Sequence, residues 1–240
     1  MGLRYGGMRS KGNRYHEGLR AVQPDWATIS SLATAGGTLV LAVATFASVR
    51  SANRSARVAQ ESLRVNMRPL LIPSRLDDPV QKIFFQEGKY FRLEGGRGTV
   101  EFDNGTVYLA MSLRNSGQGI AVIHGWRFRG GREVTHVRPP EAAEFRTQGL
   151  DLVIAPGDIG YWEAAFRDSS DPQFSEAVEA AKGGDVVTID LRYGDHDGQQ
   201  PAVSRMVLRQ VYAGDAEHDP LWMTTVVRHW NLDRPDPRDR

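Results

Sequence analysis

Residues 26–49 read WATISSLATAGGTLVLAVATFASV, and no charged side chain interrupts the chain between Asp25 and Arg50. As an α-helix this stretch rises roughly 36 Å, enough to cross a hydrocarbon core about 30 Å thick. Its first half is only mildly apolar, with Thr28, Ser30, Ser31, Thr34, Gly36 and Gly37. Leu39 to Val49, with Leu41 and Phe46 among them, is strongly apolar and drives insertion. Trp26 stands where an interfacial aromatic belongs, and Pro24 with Asp25 makes a helix start. A buried core helix would be shorter and carry a polar face. A cleaved leader ending near Ala42 and Ala44 would be about 44 residues long, beyond the usual ~15–30. The expectation is a transmembrane helix over 26–49.

Ala33 and Gly37, with Gly36, have the small-residue spacing through which two such helices can pair into a homo-oligomer, although an Ala/Gly/Ser/Thr-rich helix produces such pairs by composition alone. Beyond the span, Arg50, Arg54, Arg57, Arg64 and Arg68 recur at three, four or seven residues, near one face of a continuing juxtamembrane helix over 50–68 that carries Ala52, Ala56, Ala59 and Leu63 elsewhere. Such a stripe suits anionic lipid, at about 1 kcal/mol per well-placed arginine, or else forms the solvated face of a stalk. Residues 1–25 hold Arg4, Arg9, Lys11, Arg14 and Arg20 in a Gly-rich, disordered tail, with only Arg20 near the membrane edge. The C-terminal flank thus places more positive charge close to the bilayer, which puts the C-terminal domain in the cytoplasm.

The remainder of the 240 residues suffices for one domain near 69–230 and a flexible tail over 231–240. Thirty basic against 29 acidic residues, a net charge of +1, give no global reason to expect a nucleic-acid partner. The absence of cysteine excludes disulfides, cysteine zinc sites and thiol nucleophiles. Only Lys11, Lys82, Lys89 and Lys182 among the basic residues are lysine, an arginine bias typical of a GC-rich genome.

From Arg68-Pro69 onward the pattern changes to alternation. Leu109, Met111 and Leu113 alternate with Tyr108, Ala110 and Ser112, and Val187, Ile189 and Leu191 with Thr188, Asp190 and Arg192, predicting half-buried strands. Further strands are expected at 70–73, 82–85, 90–93, 100–102, 120–128, 152–155, 159–166 and 203–211, separated by turns such as Asp103-Asn104-Gly105, Pro156-Gly157-Asp158 and Asp197-Gly198. A helix is predicted over Pro172 to Lys182. The closing segment from Leu221 starts as a strand or short helix. This is a mainly β domain, a sandwich with one short inserted helix.

The segment VYLAMSLRNSGQGIAVIHGWRF (107–128) resembles one common in immunoglobulin-like bacterial domains. Over roughly 26–238 the layout resembles a group of uncharacterised single-span proteins of high-GC Gram-positive bacteria, through ATFASVRSANRSARVA, RPLLIPSRLDDP, YLAMSLRNSGQGIAVIHGW, PGDIGYWEAAFRD, LRYGDHDGQ and RHWNLDRPDPR. The resemblance implies the architecture and assigns no activity, cofactor or site residue.

Asp195, His196 and Asp197, in GDHDG, are the candidate ligand or metal residues, but an EF-hand register built on Gly198 puts Tyr193 and Ser204 at ligand positions, so calcium binding of that kind fails. His124, His136, His218 and His229 are scattered, with no HExxH and no pair at helical spacing, and His124 reads as a packed strand histidine. There is no GxSxG elbow, P-loop or dinucleotide fingerprint, and the glycine pairs at 95–96, 130–131 and 183–184 are turns. Trp126, Trp162, Trp222 and Trp230, with Tyr161 and Tyr108, are expected in the core. No cofactor or metal and no catalytic residue is assigned. The sequence favours a non-catalytic module at the lipid bilayer that binds a protein partner, over a hydrolase or ligand-binding domain built on the 195–197 loop.

Overall fold

A computed structural model describes residues 25–133, 138–211 and 221–239. The chain divides into two units at Val58/Ala59, within a helix α1 that runs unbroken over Trp26–Asn66. Asp25 starts it: its carboxylate accepts from the Ala27 N–H (3.2 Å) and the Thr28 hydroxyl (2.6 Å). The mildly polar first half conceals its hydroxyls on its own backbone. Thr34 donates to Ser30 O and Thr38 to Thr34 O, as Thr45 of the second half does to Leu41 O, each at 2.8 Å, so these side chains present little more than methyl groups outward. An 18-residue window of α1 has mean hydropathy 1.8 and is wholly exposed, so α1 is long and apolar enough to cross a membrane.

The β unit contains two antiparallel sheets that share one core. In the first, β5 (Thr106–Asn115) is central, with β8 (Ile159–Phe166) along one edge. The other edge is divided between β4 (Gly98–Asp103), paired with 106–111, and β1 (Leu71–Pro73), paired with 113–115. The second sheet runs in the order β11 (Leu221–Asn231), β10 (Ala202–Val211), β9 (Val187–Gly194), β6 (Ala121–Gly130), β7 (Arg146–Ile154). At one side the sheets meet through an Arg97–Met223 bridge and a Thr224 N–H to Gly96 O bond of 3.0 Å. Leu109, Met111, Leu113, Trp162 and Phe166 from the first sheet pack against Ile123, Trp126, Phe128, Ile189 and Leu191 from the second. Edge-to-face contacts of Trp126 with Trp162 (5.6 Å) and Phe166 (5.4 Å) join the layers. All four tryptophans expected in the core are buried.

Helix α2 (Phe174–Gly183) starts two residues later than expected and inserts Ala177 and Ala180 beside the core. It ends at Gly184, whose left-handed φ of 67° makes a glycine stop. A separate hairpin of β2 (Gln81–Phe84) and β3 (Tyr90–Leu93) carries a second cluster, in which Ile83, Phe85 and Leu93 cover Tyr108 and Ala110.

Alternation along β5 and β9 predicts half-buried strands, yet both are buried on both faces. Tyr108, Ala110 and Ser112 of β5 and Thr188 and Asp190 of β9 are buried. The hairpin supplies the cover for Tyr108 and Ala110 of β5. For β9 it is long side chains from neighbouring strands, a contribution that no local periodicity encodes. β7 begins six residues before its expected start at 152, because its first half is polar, and the last long segment is a strand.

Candidate functional site

The segment leaving α1 is fixed to the β unit by LRNSGQG. Buried Asn115 accepts from the N–H groups of Leu70 (3.1 Å) and Gly117 (3.0 Å) and donates to the carbonyls of Gly119 (2.7 Å) and Ile154 (3.0 Å). Backbone bonds join Ser116 N–H to Leu70 O and Gln118 N–H to Arg68 O. The approach is so close that a Cβ at Gly119 would stand 1.8 Å from Met67 O. Arg68 lies beyond the end of α1 and outside the basic stripe expected of it, pairing instead with Asp233 (2.5 Å) and Asn231 (3.1 Å). Arg50, Arg54 and Arg57 are exposed, as are Trp26, Leu39, Leu41 and Phe46, while the Arg64 side chain lies outside the described residues.

Asp195, His196 and Asp197 form the β9–β10 turn. Asp195 accepts from the Gly198 and Gln199 N–H groups, and Gly198 takes a φ of +68°. The His196 and Asp197 side chains are 61% and 66% exposed and lie 3.4 Å apart. An open concavity of about 510 Å³ adjoins the turn, bordered also by Gln118, Pro156, Gln199 and Gln200. Among the described residues no three histidine or carboxylate side chains converge as a metal would require. His124 is exposed at a bulge; His136 and His218 lie outside the described residues.

Tyr193, Ser204 and His229 also converge: Ser204 Oγ is 3.1 Å and Tyr193 Oη 3.2 Å from His229 Nδ1, and Asn231 is 3.3 Å from Nε2. The pairing resembles a nucleophile and its base, but Ser204 is fully buried and donates to Leu71 O, while Tyr193 Oη accepts from the Leu71 N–H. Burial pushes the Tyr193 hydroxyl up to about 12 and lowers the His229 pKa. This is a neutral polar strut between β1 and the second sheet.

Across the outer face of that sheet runs a row of four strand partners: Arg127 of β6, Asp190 of β9, Arg205 of β10 and Arg228 of β11. Asp190 accepts from Arg205 Nε (2.7 Å) and Nη2 (3.0 Å) and from Arg127 Nη1 (2.7 Å). Glu133 adds a second carboxylate to both arginines, and the guanidinium carbons of Arg205 and Arg228 lie 5.1 and 5.4 Å from the centre of the Trp230 ring. Burial pulls the Arg127 pKa down, yet the bonds to Glu133 and Asp190 outweigh it and hold it above its ordinary value. The two carboxylates are shared between the buried arginines, so the row ties β6, β9 and β10 together across this face.

The remaining site is open. Between Ile123–Leu152 and Gly125–Thr147, residues 148–151 of β7 stand opposite His124 alone, so this stretch arches away from β6. Gln148 ties the arch to β8, its side chain accepting from Trp162 Nε1 (3.1 Å) and donating to Glu163 O (3.2 Å). Beneath lies a cleft of about 280 Å³ bordered by the arch, Trp126, Phe85, Glu163 and Arg167. Glu163 is 8% exposed, and its Oε2 has no hydrogen-bond partner. Burial raises its pKa against the pull of Arg167, whose guanidinium is already bonded to Glu87. A carboxyl with a raised folded pKa holds its proton longer in the fold than in the unfolded chain. The fold is therefore favoured below the unfolded pKa and loses that advantage as pH rises through the folded one. Glu163→Gln should flatten this dependence and melt at or above the wild-type temperature at neutral pH, as thermal scans across pH will read. No sequence motif announces this site; its only signal is one carboxylate in the otherwise apolar strand IGYWEAAF.

Set against known proteins, the chain matches no family model, no curated protein and no solved structure.

Proposed function

We propose that this chain is a single-span membrane protein whose β domain, an immunoglobulin-like sandwich, is a non-catalytic docking module on the cytoplasmic side. The observation that carries the reading is the apolar surface of α1, which is exposed among the described residues and suits lipid. Exposed Arg50, Arg54 and Arg57 beyond the span suit anionic headgroups and the positive-inside orientation. Two antiparallel sheets over one core support the sandwich, and the buried Asp190 carboxylate, bound by two arginines, reads as structural rather than catalytic.

Arginine near the centre of a span costs about 2.5–3.5 kcal/mol. The double variant Leu39→Arg/Leu41→Arg should therefore leave the membrane fraction on flotation, while the wild type floats even after alkaline extraction. Equal flotation of the two would remove the span. With a tag at Arg240, the domain should resist added protease in intact cells and be cleaved after permeabilisation; cleavage in intact cells would reverse the orientation. Cross-linking in cells should yield a discrete adduct with a cytosolic protein whose yield falls in the double variant, and the absence of any adduct would count against docking.

A second reading, hydrolysis or ligand binding at Asp195, His196 and Asp197, rests on the concavity beside their turn. It requires His196→Ala to lose a bound metal or ligand without loss of stability.

A further inference from the structure

We propose that the cleft between the β7 arch and the edge of β8 is a recognition pocket for a basic side chain, an arginine of a partner protein, with the Glu163 carboxylate as its counter-ion. The assignment rests on the docking reading above and names what is docked.

Three features converge on a cation. First, the Glu163 Oε2 is buried without a hydrogen-bond donor, and a donor carrying positive charge supplies the missing bond and favours the carboxylate. Second, Arg167 favours the Glu163 carboxylate only from a distance, because its Nε and Nη2 bond Glu87, so the three groups together carry one net negative charge when Glu163 is ionised. Third, Phe85 and Trp126 border the same space, an aromatic lining of the kind guanidinium groups favour. At about 280 Å³ the cleft lies at the lower end of ligand-pocket sizes, which suits one side chain better than a cofactor.

The surroundings suit delivery of that side chain from a protein segment. Among the described residues β8 pairs as a strand only with β5 and β7 only with β6, so each is the last strand of its sheet, with Gln148 of β7 already bonded to Glu163 O of β8. Leu150, 52% exposed on the arch, provides an apolar lip. Gln148 fixes the arch from within through Trp162 and Glu163 O, so the opening exists before the ligand arrives.

The test uses the full chain in phosphatidylcholine nanodiscs, without anionic lipid, and titrates Nα-acetyl-arginine methylamide by calorimetry beside the matching citrulline compound, which keeps the shape and lacks the charge. The arginine compound should bind at least tenfold more tightly than citrulline. Glu163→Gln, which keeps the side-chain shape, should abolish that preference. Leu150→Arg, a change at an exposed position, should fill the cleft from its own lip and block the probe without disturbing the fold. Equal binding of the two compounds, no binding of either, or an unchanged preference in Glu163→Gln overturns the pocket. Flotation and cross-linking read the docking proposal without this probe, so failure of the pocket and failure of the docking reading are distinguishable.

Discussion

Asp190→Ala should unfold the β unit or bring it to the edge of unfolding. Asp190 is 0% exposed and binds two arginines that are themselves buried, Arg205 at 2% and Arg127 at 7%. Removing the carboxylate leaves two buried guanidinium groups sharing Glu133, with the exposed Glu144 beside Arg127. Breaking a buried pair in this way costs about 3–5 kcal/mol, a large part of the roughly 5–15 kcal/mol that holds an ordinary domain together. Urea denaturation of the detergent-solubilised chain, followed by tryptophan fluorescence, should show the midpoint fall accordingly. Asp190→Asn keeps the shape and part of the hydrogen bonding and should fall between the two. Replacing Arg127, Glu133, Asp190 and Arg205 together with apolar residues of similar volume should cost far less than Asp190→Ala alone, since no member of the buried cluster is then left as an unpaired charge. A small loss for Asp190→Ala would show that water reaches the row and that the charges are not interdependent.

Asn115→Ala is the second large effect. One side chain satisfies two backbone donors and two backbone acceptors on three different segments, and alanine supplies none of these bonds. Buried groups left unpaired cost about 1–3 kcal/mol each, and partial access of water to Leu70 and Gly117 brings the total to roughly 3 kcal/mol. The loss is directional as well as global. Residues 67–70, which carry the chain from α1 into β1, should lose protection in hydrogen exchange before the core strands do. Uniform loss across the domain, with 67–70 no more affected than β9, would show that this junction is not held by Asn115. Asn115→Asp should fail similarly, because a carboxylate cannot donate to Gly119 O and Ile154 O.

The helix long and apolar enough to span a membrane was legible in the sequence because length and hydropathy over one continuous stretch are the whole criterion. Most strands were legible because alternation is local, and the turn at Gly198 because a positive φ selects glycine within four residues. The motif LRNSGQG was visible as a turn, but its task was not, since the groups that Asn115 binds lie as far away as Leu70 and Ile154.

The candidate pocket was hidden for the same reason. Glu163 reads as an outward residue of a half-buried strand, and only the β2–β3 hairpin and the 148–151 arch, both remote in sequence, bury it. Likewise Arg127, Asp190, Arg205 and Arg228 are ordinary surface charges to any local rule until strand register aligns them across four strands. The sequence by itself determined the membrane-competent helix, the β character of the C-terminal domain and the turns within it, because each depends on neighbours a few residues apart. Tertiary structure alone decided which strands are buried twice, which charges are paired and which carboxylate is left without a partner, because burial and ionic pairing are properties of surfaces that meet only when distant segments fold together.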